Sequence, residues 1–363
     1  MTDIAVPSLD LTDDVAKLTA ALMAVESVSG NEKAIADAVE NALRACPHLE
    51  VSRDGDSVVA RTNLGRGERV LLAGHLDTVP LPTVPGSRGT VPPSWEGDVL
   101  YGRGATDMKG GVAVQLALAA SLTEPTRDVT YVFYDHEEVD ASLSGLGRLE
   151  KSHPDWLKAD FAILLEPTNG TVEGGCNGTM RFHATTTGRA AHSARAWMGE
   201  NAIHAAAEIL VRLRDHVPAT VSVEGLDYRE SLNAVKVWGG TAGNVIPDAA
   251  TVEINYRFAP DKSLAEAEAY VRDLLAGFDV VRTDAAAGAR PGLTLPAAAS
   301  FVAAVGAEPK PKYGWTDVAR FSALGIPAVN FGPGDALLAH TDNEHVDAAA
   351  IRNCLAALRD WLS

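Results

Sequence analysis

Acidic and imidazole side chains stand at the ends of apolar runs that are typical of buried strands. These potential ligands are His75, Asp107, Glu138 and Glu166, with His340 late in the chain. A buried carboxylate without a partner is unfavourable by several kcal/mol, and a divalent metal ion removes that penalty. The five side chains therefore predict a metal site.

Residues 74–77 read Gly-His-Leu-Asp and put an imidazole and a carboxylate two residues apart on an extended chain, so both face the same side. Asp77 is then placed to accept a hydrogen bond from the ring nitrogen of His75 that does not bind metal. The alternative is a strand-end histidine that pairs with a neighbouring acid and has no metal.

The glycine-rich residues 102–111 precede a helix of small residues. Their glycines match neither GxxxxGK[ST] nor GxGxxG, so this segment is not predicted to be a phosphate-binding loop. Asp107 in this segment is either a ligand or the cap of the following helix, and the local sequence leaves both open.

The acidic pair Glu137 and Glu138 follows a strong β run. Adjacent carboxylates repel each other unless a cation takes one. If Glu138 binds a metal ion, Glu137 is left to deprotonate the attacking water, whose pKa the ion lowers. An acidic turn in solvent is the alternative. With Glu166 after an apolar run and His340 in a loop, the ligands suit two divalent ions that share one carboxylate, and zinc is the first choice.

Length and composition indicate an ordinary globular protein of two domains, because the chain has 363 residues with 46% hydrophobic and 22% charged. The net charge of −17 argues against nucleic acid and an anionic membrane as partners. Cys46, Cys176 and Cys354 form no CxxC motif, so reduced and at least half-buried thiols are expected. The start of the sequence shows no signal peptide and no apolar run reaches about 18 residues, so a cytoplasmic location is expected.

Strand-like apolar runs alternate with helical segments, which predicts an α/β fold with a mostly parallel central sheet. The candidate ligands follow such strands, as expected for a site at the carboxyl edge of the sheet. Residues 179–287 show the order βαββαβ, which is typical of a ferredoxin-like unit. The predicted domains are therefore 1–178 with 288–363, and an insertion at 179–287.

Several motifs together resemble the M20 family of co-catalytic metallopeptidases and deacylases, over nearly the whole chain. They are GHxD at 74–77, GRGxxDMKGG at 102–111, the pair Glu137-Glu138, LEP at 165–167, HS at 192–193, and His340 followed by Asn343-Glu344. The resemblance implies a zinc-peptidase-like catalytic domain that holds two Zn2+ ions, which Co2+ can replace. It also implies that the insertion acts as a lid and forms a homodimer.

The same resemblance implies a role for each site residue. One zinc ion would take His75 and Glu166, the other Glu138 and His340, and Asp107 would bridge them. Asp77 would orient His75, Glu137 would be the general base, and the Asp107-Met108 peptide would be cis. His192 of one subunit would steady the oxyanion at the site of the other, whereas a surface histidine is the alternative.

Within the family, the chain is most similar to members that hydrolyse N-succinyl-L,L-diaminopimelate to succinate and L,L-diaminopimelate, in lysine biosynthesis. Deacylation of acetylornithine or of an N-acyl amino acid is the alternative. A carboxypeptidase is less favoured, and a binding protein without catalysis is disfavoured because Glu137 and all five ligands are present.

The predicted substrate contacts are Asn244, Arg257 and Thr316. Arg257 can fork onto a substrate carboxylate or lie at a sheet edge, and Asn244 can bind substrate or shape its turn. The sequence departs from the family pattern in two places: His136-Glu137-Glu138-Val139 stands where Asp-Glu-Glu-Gly is usual, and Asn177 stands where many relatives have arginine.

Overall fold

The computed structural model describes residues 8–363. They form two compact units. The first contains the described residues up to Gly174 with Gly292–Lys310 and Arg320–Ser363, and the second contains Gly175–Pro291 and Pro311–Ala319. In the described part of the chain, no helix has the length and apolar character needed to cross a bilayer. The prediction that the chain starts without a signal peptide concerns residues that lie partly outside this range.

The second unit is larger than the insertion expected at residues 179–287, because it also takes in a later segment. The backbone N–H of Asn177 donates to the carbonyl oxygen of Lys312 at 3.1 Å, and the Cys176 thiol lies 3.8 Å from the carbonyl oxygen of Thr316. Bonds between such distant positions leave no pattern in the local sequence.

The strands and helices are numbered in chain order. The strands are β1 Glu50–Asp54, β2 Ser57–Arg61, β3 Arg69–His75, β4 Ser94–Glu96, β5 Val99–Tyr101, β6 Asp128–Tyr134, β7 Phe161–Leu164, β8 Glu173–Gly174, β9 Gly178–Thr187, β10 Ala191–His192, β11 Thr220–Val223, β12 Leu226–Arg229, β13 Ser231–Gly239, β14 Val245–Ile246, β15 Ala249–Phe258, β16 Asp279–Ala286, β17 Lys310–Pro311, β18 Ala328–Asn330 and β19 His345–Asp347. The helices are α1 Val15–Met23, α2 Lys33–Arg44, α3 Gly110–Ser121, α4 Gly145–Ser152, α5 Ala202–Asp215, α6 Leu264–Leu274, α7 Pro296–Val305, α8 Val318–Ala323 and α9 Ala348–Leu362.

The first unit is built on a mixed sheet with a parallel centre. Its strand order is β1-β2-β6-β3-β7-β18-β8-β17, in which β6, β3, β7 and β18 are parallel neighbours and β1, β2 and β8 pair antiparallel. Strand β6 is buried along its whole length, as in parallel sheets that are covered on both faces. The carboxyl ends of β3, β6 and β7 therefore share one edge, and the predicted α/β fold class is confirmed.

Helix α3 packs close to this edge because its residues are small. It is buried on nearly all sides, which its apolar composition allows. A Cβ atom at Gly111 would lie 2.3 Å from the carbonyl oxygen of Leu165, so only glycine lets the helix approach the end of β7. An irregular turn, Ala105–Lys109, leads into the helix, and its Asp107-Met108 peptide bond is cis, as the resemblance implied.

The second unit contains the predicted βαββαβ order in β9, α5, β13, β15, α6 and β16. Its sheet has the order β13-β15-β9-β16 with antiparallel pairing throughout. Alternate residues of β15 are buried, so one face of the sheet packs on apolar residues of α5 and α6 such as Ile209 and Val271. The hairpin of β11 and β12 and the short pair of β10 and β14 were not predicted.

Candidate metal centre

The five predicted ligands converge at the carboxyl edge of the parallel strands in the first unit. His75 is the last residue of β3, and Glu138 and Glu166 lie in the loops that follow β6 and β7. Asp107 belongs to the irregular turn before α3, and His340 lies in the loop before β19. Parallel strands bring these loops together because their carboxyl ends meet at one edge.

The ligand atoms form two groups that share Asp107. The Nε2 atom of His75 lies 3.0 Å from Asp107 Oδ1, and His340 Nε2 lies 3.3 Å from Asp107 Oδ2 and 3.0 Å from Glu138 Oε1. Donor atoms of His75, Asp107 and Glu166 lie within 4.8 Å of one another, and so do those of Asp107, Glu138 and His340. Two imidazoles and three carboxylates with one shared residue suit a pair of zinc-like divalent ions.

Charge interactions within the cluster favour ionised carboxylates and protonated imidazoles. Burial opposes the charged form of His75, but hydrogen bonds to Asp107 and Asp77 outweigh it, so the pKa of His75 lies well above its usual range. Hydrogen bonds to Asp107 and Glu138 raise the pKa of His340 to about 10. The pKa of Asp107 is lowered, because hydrogen bonds from both histidines outweigh the effect of burial. Divalent ions bound by these residues would replace the protons.

Asp77 contacts both His75 and the acidic pair. The Nδ1 atom of His75 lies 3.0 Å from the backbone oxygen of Asp77 and 3.5 Å from its carboxylate, so the backbone is the nearer of the two partners. The carboxylate accepts the backbone N–H groups of Glu137 at 3.0 Å and Glu138 at 3.1 Å. Burial opposes ionisation, but the bonds from His75, Ser29 and Glu137 lower the pKa of Asp77 to about 2. Sequence reasoning missed the link between Asp77 and the acidic pair.

His136 departs from the family pattern, but neighbouring side chains contact its imidazole. It has a left-handed backbone conformation with φ of 58°. Its Nδ1 atom lies 2.8 Å from Asp135 and 3.4 Å from Glu32, and Asp135 also accepts a bond from Arg148 at 2.6 Å. The imidazole lies between these two buried carboxylates and donates a hydrogen bond from Nδ1 to the nearer one, Asp135. The residue that precedes the acidic pair is therefore fixed by contacts of its side chain.

The other predicted residues lie in the second unit. His192 is exposed in β10, opposite Val245 of β14, and the N–H of Ser193 donates to the backbone oxygen of Asn244 at 2.9 Å. His192 and Asn244 are therefore close together. Arg257 is half-buried in β15, and Thr316 is buried.

Asn177, the second departure from the family pattern, has a structural contact. It is buried, and its side-chain amide donates to the backbone oxygen of Arg229 at 2.8 Å. Arg229 ends the β11–β12 hairpin, so this bond ties the hairpin to the start of β9. Asn177 therefore forms a hydrogen bond that stabilises the second unit.

Residues 71–363 match the family model of peptidase family M20/M25/M40. The chain belongs to this family. The chain is 55% identical over 357 residues to the putative succinyl-diaminopimelate desuccinylase of Mycobacterium tuberculosis, covering 98% of this chain and 99% of that protein. It is 44% identical over 368 residues to the succinyl-diaminopimelate desuccinylase of Corynebacterium glutamicum, covering 98% of each.

Solved structures of other M20 family members share the fold. A metallo-carboxypeptidase of Sulfolobus solfataricus has a TM-score of 0.78 at 17% identity, covering 96% of this chain and 98% of that one. A dinuclear metal binding peptidase of Bacillus subtilis has a TM-score of 0.70 at 18% identity, covering 96% of each chain. The family resemblance that the motifs indicated is confirmed.

Proposed function

We propose that this M20 family member hydrolyses the amide of N-succinyl-L,L-diaminopimelate to succinate and L,L-diaminopimelate, as a step in lysine and diaminopimelate biosynthesis. The support for the substrate is the identity, over nearly the full length, to two relatives named as succinyl-diaminopimelate desuccinylases. The structural observation that carries the chemistry is that Asp107 joins two ligand groups beside an acidic pair.

Two zinc ions are the proposed cofactors, and cobalt is expected to replace them. His75 and Glu166 would hold one ion, Glu138 and His340 the other, and Asp107 would be shared; the grouping of ligand atoms supports this assignment. Such a pair, when bound, lowers the pKa of water and polarises the amide carbonyl.

Glu137 is the proposed general base. Its backbone is anchored on Asp77, next to the proposed ligand Glu138, and its side chain is half-buried. A carboxylate in this place accepts a proton from the attacking water and delivers a proton to the leaving nitrogen. The new C–O bond completes the carboxylate of succinate, and the broken C–N bond releases the amino group of diaminopimelate.

Arg257, Asn244 and Thr316 are the proposed substrate contacts. Arg257 forms no salt bridge with any residue in the range 8–363, although it is half-buried, and burial with the nearby Arg181 lowers its pKa. Its Nε–H group donates to the side-chain oxygen of Asn255 at 3.1 Å. A carboxylate of the substrate would therefore be bound by the two terminal nitrogens of the guanidinium, in a two-bond fork. The buried Thr316 hydroxyl also has no hydrogen-bond partner within the described residues.

A homodimer through the second unit is also proposed. Strand β13 lies at the edge of its sheet, and Val235, Val237 and Trp238 on it are 51%, 50% and 44% exposed. An apolar edge strand is prone to pair with a second chain, and a two-fold axis would use the same strand from both copies. A cytoplasmic location is also proposed, and its support is the identity to the same two relatives on which the biosynthetic role rests.

In this dimer, the partner subunit's His192 would steady the oxyanion that forms during amide attack. Its Nδ1 atom accepts the N–H of Ala194 at 3.0 Å, so the neutral ring carries its proton on Nε2 and can donate it. An exposed donor with a fixed tautomer suits this role.

The function is tested with a hydrolysis panel on the zinc-loaded protein. N-succinyl-L,L-diaminopimelate, N-acetylornithine and several N-acyl amino acids are compared by their kcat/KM values. We expect the succinyl substrate to exceed the others by at least about 100-fold, because a site that pairs a substrate's polar groups rejects analogues that lack them. Preference for acetylornithine, or no hydrolysis of any substrate, would contradict the proposal.

A further inference from the structure

Glu344 is a buried carboxylate that binds the turn carrying Asp107. Its side chain is 1% exposed. One carboxylate oxygen accepts a bond from the Arg103 guanidinium at 2.8 Å and from the N–H of Gly104 at 3.1 Å. The other accepts the N–H groups of Thr106 at 3.0 Å and Asp107 at 3.1 Å. Four donors from one short segment therefore converge on one side chain.

Further bonds hold the same two segments together. The N–H of Gly102 donates to the backbone oxygen of Glu344 at 3.1 Å, and the Thr106 hydroxyl donates to that of His345 at 2.7 Å. The Arg103 guanidinium lies 3.3 Å from the carbonyl oxygen of Thr341, which adjoins His340. The turn with one proposed ligand and the loop with another are thus fixed to each other, with Glu344 at the centre.

We propose that Glu344 is a positioning residue that sets the place of Asp107 relative to His340 and thereby supports metal binding at both ligand groups. Asp107 belongs to both groups, so a shift of its backbone disturbs two sites, whereas loss of His340 disturbs one. The inference rests on the proposed metal roles of Asp107 and His340.

A matched control separates positioning from general stability. Asp128 is 4% exposed, and its carboxylate accepts the N–H groups of Leu64 at 2.8 Å and Arg66 at 2.9 Å and the Thr62 hydroxyl at 2.9 Å. It is the first residue of β6, at the opposite end from the acidic pair. Its environment resembles that of Glu344 in burial and in backbone donors, but no proposed ligand contacts it.

The test compares Glu344→Gln with Asp128→Asn. Each amide keeps the size of the side chain but turns one acceptor into a donor that faces an N–H group. In Glu344→Gln we expect the zinc affinity of both sites to fall about 10–100-fold, the usual loss when a residue that holds a ligand is changed. Asp128→Asn should lower the unfolding temperature of the metal-free protein and leave both zinc affinities unchanged. Competition with a chromophoric chelator and calorimetry measure the two properties.

Each outcome decides the inference. Two outcomes would show that the inference is wrong, provided that the wild-type protein binds two zinc ions. In the first, Glu344→Gln binds both ions as tightly as the wild type. In the second, it loses affinity at only one site, as expected for His340→Ala. Equal zinc losses in Asp128→Asn would also overturn it. A wild-type protein that binds no zinc would contradict the proposed function itself. If Glu344→Gln does not fold, Arg103→Met removes one of the four donors: weaker zinc binding at both sites supports the inference, and unchanged binding contradicts it.

Discussion

Asp77→Asn is expected to impair catalysis more than metal binding. The two oxygens of the Asp77 carboxylate accept the backbone N–H groups of Glu137 and Glu138 separately. An amide has one acceptor oxygen, so in either orientation its NH2 group faces one of these donors. An unsatisfied buried donor costs about 1–3 kcal/mol. The remaining N–H bond then goes to a neutral amide oxygen in place of a charged carboxylate, which costs about 1 kcal/mol more. The free energy of unfolding should therefore fall by about 2–4 kcal/mol.

His75 should keep its orientation in this variant, because its Nδ1 atom also contacts the backbone oxygen of Asp77. Turnover at saturating zinc should drop about 10–100-fold as Glu137 loses its anchor, with a smaller loss of zinc affinity. Kinetics of succinate release, chelator competition and urea unfolding measure the three effects. Ser29→Ala is the control, since it removes a hydroxyl donor at 2.7 Å but leaves both N–H bonds. Wild-type turnover in Asp77→Asn, or a defect confined to zinc affinity, would refute this reasoning.

Three further predictions concern protons, subunits and substrate. The pKa of His75 is raised and that of His340 is about 10, so both metal-free imidazoles carry protons at neutral pH that zinc must displace. Zinc affinity should therefore rise with pH. The stability that protonated His340 gives the metal-free protein is fully present below pH 6.5 and should be lost as the pH rises towards about 10. Calorimetry that finds neither trend would contradict this. Mixing inactive His192→Ala with inactive Glu137→Gln subunits should restore activity, because one site of the heterodimer then carries neither lesion; demonstrated heterodimers without activity would exclude a role across the interface. Arg257→Lys should raise the KM for the succinyl substrate about 10-fold with a smaller change in kcat, because Lys cannot fork onto a carboxylate; an unchanged KM would remove Arg257 from the substrate contacts.

The proposed ligands could be found from the sequence because each belongs to a local pattern. His75, Glu138 and Glu166 follow apolar strands, and the parallel order of those strands brings their ends together. Asp107 was ambiguous, since an aspartate before a helix is also a common cap. In the structure its carboxylate contacts two histidines, and α3 begins only at Gly110.

Other parts of the site depend on contacts between distant positions, which have no local pattern. The carboxylate of Glu344 reaches a turn more than two hundred residues earlier in the chain, and Asp77 reaches the acidic pair across the sheet edge. Strands β4, β5 and β19 have three residues each, too few to show a period of two. Helix α4 was missed because Gly145 and Gly147 weaken its helix propensity, although the Ser144 hydroxyl caps it.

Zinc titration of metal-free wild-type protein and of Glu137→Gln, with succinate release followed at each step, tests the proposed mechanism most directly. We expect both proteins to bind two zinc ions per chain with similar affinity. Activity should appear only in the wild type, and Glu137→Gln should turn over at least about 100-fold more slowly, because its amide cannot accept the proton from water. A Glu137→Gln protein with near wild-type turnover, or a fully active wild-type protein without zinc, would contradict a two-metal site served by Glu137.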